Sequence, residues 1–396
     1  MMQSRTKPST RESRVQSEVT SVPRNAVRPV IGGMGPGYSP RRLRAPKGPP
    51  KIAPMRLAFD ARARARPHSS YARVLALLRD AAAAVDLPFE EWSGGPCAAD
   101  VLWSPQADPP PLRGPRLVLS VHDVNPLLAD GRPRWQRLRR ELGFRWRIAR
   151  AARAAWRVAT DSEDAAARLR QRFGKLRESL RVVPLYADRR FAPGAPSPAL
   201  AGTLQLQPGY VLYLGALRRH KNWERLLAAY ARLPPPVRAR HPLVLAGSAH
   251  RSGDRLRELV ARLQLQDHVR RFTDVPDALV LDLYRGAALF VFPSLMEGFG
   301  LPPLEAMACG VPVVASKATC LPEVLGNAPL FIDPEDVDAM TWAMERALAD
   351  PSLRERLREH GLRRAAAFHP VRTGRAIESV LAEAVPGNPR ADRSGS

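Results

Sequence analysis

The chain is 396 residues long, with 62 Lys and Arg against 38 Asp and Glu, a formal net charge of +24 and 45% apolar residues, so it can fill two full hydrophobic cores. Its three cysteines, Cys97, Cys309 and Cys320, have no paired or histidine-matched spacing, which argues against a disulfide framework or a zinc site and for a reducing compartment. The longest apolar runs, residues 287–292 and 311–315, are too short to span a bilayer, and no apolar segment of signal-peptide type follows the basic N-terminus.

Residues 1–54 are rich in Arg, Ser, Pro and Gly without apolar periodicity and read as a disordered basic tail, or as an over-extended start preceding Met55. From Met55 strand-like and helix-like segments alternate. Strands are expected at Leu57–Phe59, Val101–Trp103, Leu117–Val121, Val158–Thr160 and Val182–Leu185, with a helix over Ser162–Phe173. A Pro/Gly-rich stretch over 191–209 follows, and a second series begins. Its strands are expected at Tyr210–Leu214, Leu243–Ala246, Val269–Phe272, Leu289–Phe292, Pro312–Ala315 and Leu330–Ile332. Helices are expected at Trp223–Leu233, Arg255–Gln264, Glu335–Asp350, Ser352–Ala367 and Val371–Val385. Such alternation predicts parallel sheets covered on both faces. The fold class is therefore α/β, with two Rossmann-like domains facing across a cleft, over 55–200 and 201–368, and a final helix and tail over 369–396.

The most informative run is Phe292-Pro293-Ser294-Leu295-Met296-Glu297-Gly298-Phe299-Gly300-Leu301-Pro302-Pro303-Leu304-Glu305-Ala306. Two carboxylates flank a glycine turn and a proline-started helix, placing acidic groups and free backbone N–H groups around one crevice. Either glutamate alone reads as a solvated residue; the run as a whole reads as a site. The first strand of the second series runs into Gly215-Ala216-Leu217-Arg218-Arg219-His220-Lys221-Asn222. Its position at a strand's carboxyl end offers Lys221, with Arg218 and Arg219, to phosphate oxygens, and Asn222 as an N-cap. In the first domain, His122-Asp123 ends a strand. His122 reads either as a structural hydrogen-bonder or as a group facing the crevice, and Asp123 as a loop-orienting residue.

The run from Glu297 to Glu305, continued by Met307 to Ser316, resembles the Glu-x7-Glu motif of the family 4 (group 1) retaining glycosyltransferases of the GT-B fold. The resemblance is dense over 210–334 and thinner over 55–193. It implies that Glu297 faces the donor sugar and Glu305 holds the ribose, while Gly298, Phe299, Gly300 and Leu301 approach sugar and phosphates. It also implies that Lys221 binds the diphosphate and that His122 reaches the sugar near its anomeric centre. Residues 271–276 match the region that contacts the base. The turn from Leu217 to Asn222 leans toward mannosyltransferases of bacterial surface-polysaccharide assembly. The implied partners are a GDP- or UDP-linked nucleotide sugar as co-substrate, with no cofactor and no metal, and a glycan or lipid-linked acceptor. The implied location is cytoplasmic, with peripheral contact to an anionic membrane.

Two departures from the family pattern stand out. Ala216 replaces the common arginine, and residues 61–71, where a glycine-rich loop is usual, contain no glycine. Both favour the alternative of a degenerate homologue that binds nucleotide or glycan without transfer. Asp336-Val337-Asp338 has the spacing of a metal motif but reads better as acidic residues at a helix N-terminus. Ser120, His122 and Asp123 lie too close together for a triad. The charge invites a nucleic-acid reading, but no recognition motif accompanies it and aromatics are only 6%, so no specific nucleic acid is expected. No Gly-x-Gly-x-x-Gly turn follows either opening strand, which disfavours a dehydrogenase.

Overall fold

The computed structural model describes residues 55–65, 70–122, 134–248, 253–273 and 275–384. The expected basic tail over 1–54, Ser69, Asp123, Asp274 and the segment after 384 lie outside the described residues.

The first sheet contains β1 (Leu57–Asp60), β2 (Phe89–Trp92), β3 (Val101–Ser104), β4 (Arg116–Ser120), β5 (Arg157–Thr160) and β6 (Leu180–Val182). The second contains β7 (Tyr210–Leu214), β8 (Leu243–Ala246), β9 (Val269–Phe272), β10 (Ala287–Phe292), β11 (Val313–Ser316) and β12 (Leu330–Ile332). The helices are α1 (Ser70–Ala83), α2 (Arg134–Ala154), α3 (Glu163–Arg172), α4 (Ala199–Leu204), α5 (Trp223–Ala231), α6 (Pro235–Arg240), α7 (Gly253–Arg262), α8 (Asp277–Arg285), α9 (Leu301–Ala308), α10 (Leu321–Leu325), α11 (Val337–Ala349), α12 (Pro351–Ala366) and α13 (Pro370–Ala382).

The spatial orders are β2-β1-β3-β4-β5-β6 and β12-β11-β10-β7-β8-β9, and the strand pairs are parallel. Runs such as Tyr-Val-Leu-Tyr-Leu in β7 are apolar throughout because helices cover both faces of the sheet. In the second sheet β7 lies between β10 and β8, so the chain leaves it in both directions. A crevice opens at the carboxyl ends of β7 and β10, where that order reverses. In the first sheet Ser120 pairs with Ala159, and continuing that register sets His122 beside Asp161.

Helix ends follow local chemistry. Ser162 Oγ accepts from Ala165 N (3.1 Å) at the start of α3, whose first turn carries Glu163 and Asp164. Asp336 accepts from Ala339 N (2.9 Å) and caps α11, so the Asp336/Asp338 pair belongs to a helix start. Two expectations need correction. The last strand of the first sheet is Leu180–Val182 rather than Val182–Leu185, because Pro184 has no N–H to give a ladder. The edge strand β2 was not expected: Glu90 is exposed, Glu91 pairs with Arg64 and Arg79, and the two break its apolar pattern.

The last helix, α13, returns to the first sheet's side of the molecule and lies on α1. A Cβ on Gly374 would stand 2.3 Å from Ala81 O, so the helices touch backbone to backbone. Thr373 Oγ1 donates to Pro184 O (2.6 Å). Glu383, just past the helix, accepts from Arg157 Nε (2.8 Å) and from Arg181 Nε and Nη2 (2.7 Å each). Burial pushes the Glu383 carboxyl up, but the hydrogen bonds from Arg181 and Arg157 outweigh it and hold it below the ordinary value. A lowered carboxylate stabilises the fold above the unfolded-state value of about 4.3, and that stabilisation is lost as pH falls through the folded value. Replacing Glu383 with Ala leaves Arg157 buried and unpaired. The expected loss at neutral pH is about 3 kcal/mol in urea unfolding, and the difference from wild type should shrink on acidification below pH ~4.

Candidate active site

Lys221 closes the short 3₁₀ turn Arg219–Lys221 that follows β7. Leu295 N donates to His220 O (2.7 Å), tying the loop after β10 to this turn. Lys221 Nζ thereby reaches Glu297, at 2.7 Å from Oε1 and 3.0 Å from Oε2, and lies 5.3 Å from the Phe292 ring centre. Both side chains are mostly covered, so the pair is a fixed feature of the crevice rather than a surface contact. An ammonium has three N–H donors, so one remains for another oxygen after both carboxylate oxygens are engaged. Glu297 N donates to Thr319 Oγ1 (3.1 Å), which fixes the loop from the β11 side.

Asn222 holds the N-cap position of α5, but its side chain makes no capping hydrogen bond. Its backbone is left-handed (φ 59°), and its side-chain amide donates to Pro293 O (3.0 Å) and Pro334 O (2.6 Å). It joins the ends of three loops instead, which positions Lys221. Arg218 and Arg219 are exposed and stand outside the Lys221–Glu297 pair.

Gly298 is where the two halves of the cleft meet. A Cβ there would lie 2.1 Å from His122 O, and Ser162 Oγ donates to Gly298 O (2.7 Å). Further along, Glu323 accepts from the backbone of Glu163 (2.8 Å) and Asp164 (2.9 Å) at the N-terminus of α3. Gly300 has φ 96°, a conformation that favours glycine, and precedes α9. With Pro302 and Pro303 following, the first-turn backbone donors of α9 are those of Gly300 and Leu301. The Phe299 side chain is buried against Phe368, so only its backbone borders the crevice.

His122 enters from the first sheet. Its Nδ1 is 2.8 Å from both carboxylate oxygens of Asp161, which orients the ring. Nε2 is buried with no hydrogen-bond partner among the described residues. With the Nδ1 proton on the Asp161 side, Nε2 of the neutral ring carries the acceptor lone pair. Asp161 was missed by sequence reasoning because it lies 39 residues from His122; only the pairing of β4 with β5 brings them together.

Glu305 is fully buried in α9. It is ion-paired with Arg73 from α1 and accepts from Tyr284 OH at 3.0 Å. Burial pushes its carboxyl up, opposed by the Arg73 charge and the Tyr284 hydroxyl. In this state protein groups occupy Glu305, and a ligand reaches it only if Arg73 moves. The glycine-free segment after β1 forms a 3₁₀ turn over Ala61–Ala65, anchored where Arg62 Nε and Nη2 donate to buried Asp60 (2.8 and 2.7 Å).

Residues 202–364 match the family model described as Glycosyl transferases group 1. Over 160 residues the chain is 47% identical to the O-antigen chain mannosyltransferase B of Escherichia coli, an alignment covering 40% of this chain and 42% of that protein. The chain thus spans under half the length of that relative. Among solved structures, Anabaena HepE in complex with UDP and glucose superposes with a TM-score of 0.62 at 19% identity, covering 83% of this chain and 99% of that one. WaaG, a glycosyltransferase involved in lipopolysaccharide biosynthesis, gives 0.63 at 16% identity, covering 84% and 100%. The two parallel six-stranded sheets are therefore those of the GT-B fold. Residues 202–364 thus carry the signature of the group 1 glycosyltransferases, the family 4 enzymes of that fold.

Gly298 allows a direct test of the cleft contact. Gly298→Ala drives a methyl into the His122 carbonyl, and the expected cost is about 2 kcal/mol in denaturant unfolding. Small-angle scattering of the same variant should show a larger radius of gyration.

Proposed function

We propose that this chain moves a sugar, with retention of anomeric configuration, from a nucleotide-diphosphate sugar to a glycan or lipid-linked acceptor in bacterial surface-polysaccharide assembly. The observation that carries this reading is the meeting of the Lys221–Glu297 pair with the unpartnered Nε2 of His122 across the Gly298 contact. Mannose is the favoured sugar, on the likeness to the O-antigen chain mannosyltransferase. A GDP- or UDP-linked donor fits the same crevice.

In the reaction the bond between the anomeric carbon and the diphosphate oxygen breaks, and the departing diphosphate takes the electron pair. The free N–H of Lys221 and the backbone donors of Gly300 and Leu301 stabilise that charge. Arg218 and Arg219 remain candidates for the outer phosphate. The acceptor hydroxyl bonds to the anomeric carbon on the same face and gives its proton to the departing phosphate oxygen. Glu297 takes donor sugar hydroxyls, and His122 Nε2 accepts from one of them. Glu305 takes the ribose hydroxyls once Arg73 releases it, so the Arg73–Glu305 pair belongs to the nucleotide-free state.

Calorimetric titration of UDP, GDP and ADP into the full chain tests the donor site. One nucleotide should bind selectively, and Lys221→Ala should weaken it about thirtyfold, as expected for a lost charge-assisted hydrogen bond of about 2 kcal/mol. Absence of binding by all three would turn the reading to a degenerate homologue. Asp161→Asn should lower kcat about tenfold, because it disturbs the orientation that aims His122 Nε2 at a donor sugar hydroxyl. An unchanged kcat would remove His122 from the chemistry.

A further inference from the structure

Helix α2 carries an apolar surface that the described residues do not cover. Phe144, Ile148 and Ala151 are buried against the first sheet. On the opposite face Trp135, Leu138, Leu142 and Trp146 are 59%, 56%, 53% and 62% exposed. At 100° per residue these four lie within an arc of about 80°, a continuous stripe roughly 16 Å long. Among the described residues the other exposed large apolar side chains, Trp342 at 56% and Val371 at 38%, stand apart from each other in the sequence on α11 and α13. Four of six such residues on one face of one helix are not the scattered exposure of an ordinary surface.

The charge around the stripe identifies what covers it. The helix sequence holds eight arginines and one acid, Glu141, and Arg145 and Arg172 pair with that acid. Arg145 flanks the stripe on one side, Arg139 and Arg150 on the other, and Arg153 continues it at the C-terminal end; all four are exposed. Arg150 lies 4.9 Å from the Trp146 ring centre, the arrangement of a guanidinium packed beside an interfacial indole. A protein interface core is depleted of charge, whereas an interfacial helix pairs an apolar face with arginines at headgroup level. Tryptophans at both ends of the stripe suit the boundary between acyl chains and headgroups. No helix among the described residues is long and apolar enough to cross a membrane, so the stripe lies flat.

We propose that α2 docks the protein on an anionic lipid bilayer, with Trp135, Leu138, Leu142 and Trp146 entering the headgroup–acyl boundary and the flanking arginines on lipid phosphates. His122 lies 13 residues before Trp135, so the docked face belongs to the half of the molecule that supplies His122. This deepens the reading of a lipid-linked acceptor, yet its test reads binding and not transfer, so the two fail separately.

The experiment is flotation of the full chain with phosphatidylcholine vesicles and with vesicles containing about one-third phosphatidylglycerol. The wild type should float with the anionic vesicles at physiological salt. The variant Trp135→Ser/Leu138→Ser/Leu142→Ser/Trp146→Ser, with folding checked by circular dichroism, should bind at least about tenfold more weakly. Arg139→Glu/Arg145→Glu/Arg153→Glu should lose binding to the anionic vesicles while keeping its thermal midpoint. Equal flotation of the serine variant and wild type would overturn the proposal and assign binding to other basic residues. A wild-type dimer that the serine variant converts to monomer would overturn it in favour of a second copy of this chain. No flotation of the wild type would overturn it outright.

Discussion

The whole site depends on one contact without side chains: the Gly298 backbone against the carbonyl of His122. Any Cβ at 298 would stand 2.1 Å from that oxygen, and the Ser162 hydroxyl holds the Gly298 carbonyl from the same side. Because the contact is so close, the loop carrying Glu297 and the strand end carrying His122 share one position. Each is fixed separately to its own sheet. Leu295 and Thr319 hold the Glu297 loop to neighbours of β10, and Asp161 holds the His122 ring beside β4. Two rigid supports meeting at a glycine give a preorganised crevice, which is what stabilising a departing anion requires.

Buried charge is handled by the same economy throughout. Lys221 with Glu297, Arg73 with Glu305 and Arg157 with Glu383 each place a cation beside a covered carboxylate. Such pairs contribute modest net stability, but removing one partner leaves a charge that cannot reach water. They differ in what they join. Lys221–Glu297 lies within the second sheet's loops, while Arg73–Glu305 and Arg157–Glu383 connect the first sheet and its helices to segments beyond residue 300. The Arg73–Glu305 pair, between α1 and α9, thereby helps hold one arrangement of the two sheets, while Arg157–Glu383 fastens the chain after α13 to the first sheet. A ligand that competes for Glu305 would therefore act on the closure of the cleft as well as on affinity.

Much of this was legible in the sequence, for identifiable reasons. Strands buried on both faces are continuous apolar runs, so β7, β8, β10 and β11 announce themselves. The glutamate spacing, the glycine turn and the proline helix start form a local pattern within one stretch. What stayed hidden was non-local. Asp161 gains meaning only through the pairing of β4 with β5, and Arg73 only through contact with Glu305, 232 residues away. Asn222 misled because its type and position fit an N-cap. Its left-handed backbone turns the side chain instead toward the carbonyls of Pro293 and Pro334, which are distant in sequence. β2 was hidden because an edge strand can leave Glu90 in water and pair Glu91 with Arg64 and Arg79.

The two halves of the molecule also depart from the family pattern to different degrees, and the structure shows the physical basis. The second sheet's loops keep the glycines and prolines that a phosphate-facing turn needs. In the first half, the position of a glycine loop is taken by the Ala61–Ala65 turn, whose Ala61 and Ala63 are buried and whose Arg62 is locked to Asp60. Asp60 is itself fixed by Ser104 Oγ at 2.9 Å, so this turn is part of the sheet's end rather than an adaptable loop. A helical turn exposes fewer backbone donors than an open glycine loop, because its N–H groups after the first turn point along its own axis. Under the proposed function, an acceptor at this turn would be held by side chains rather than by loop N–H groups.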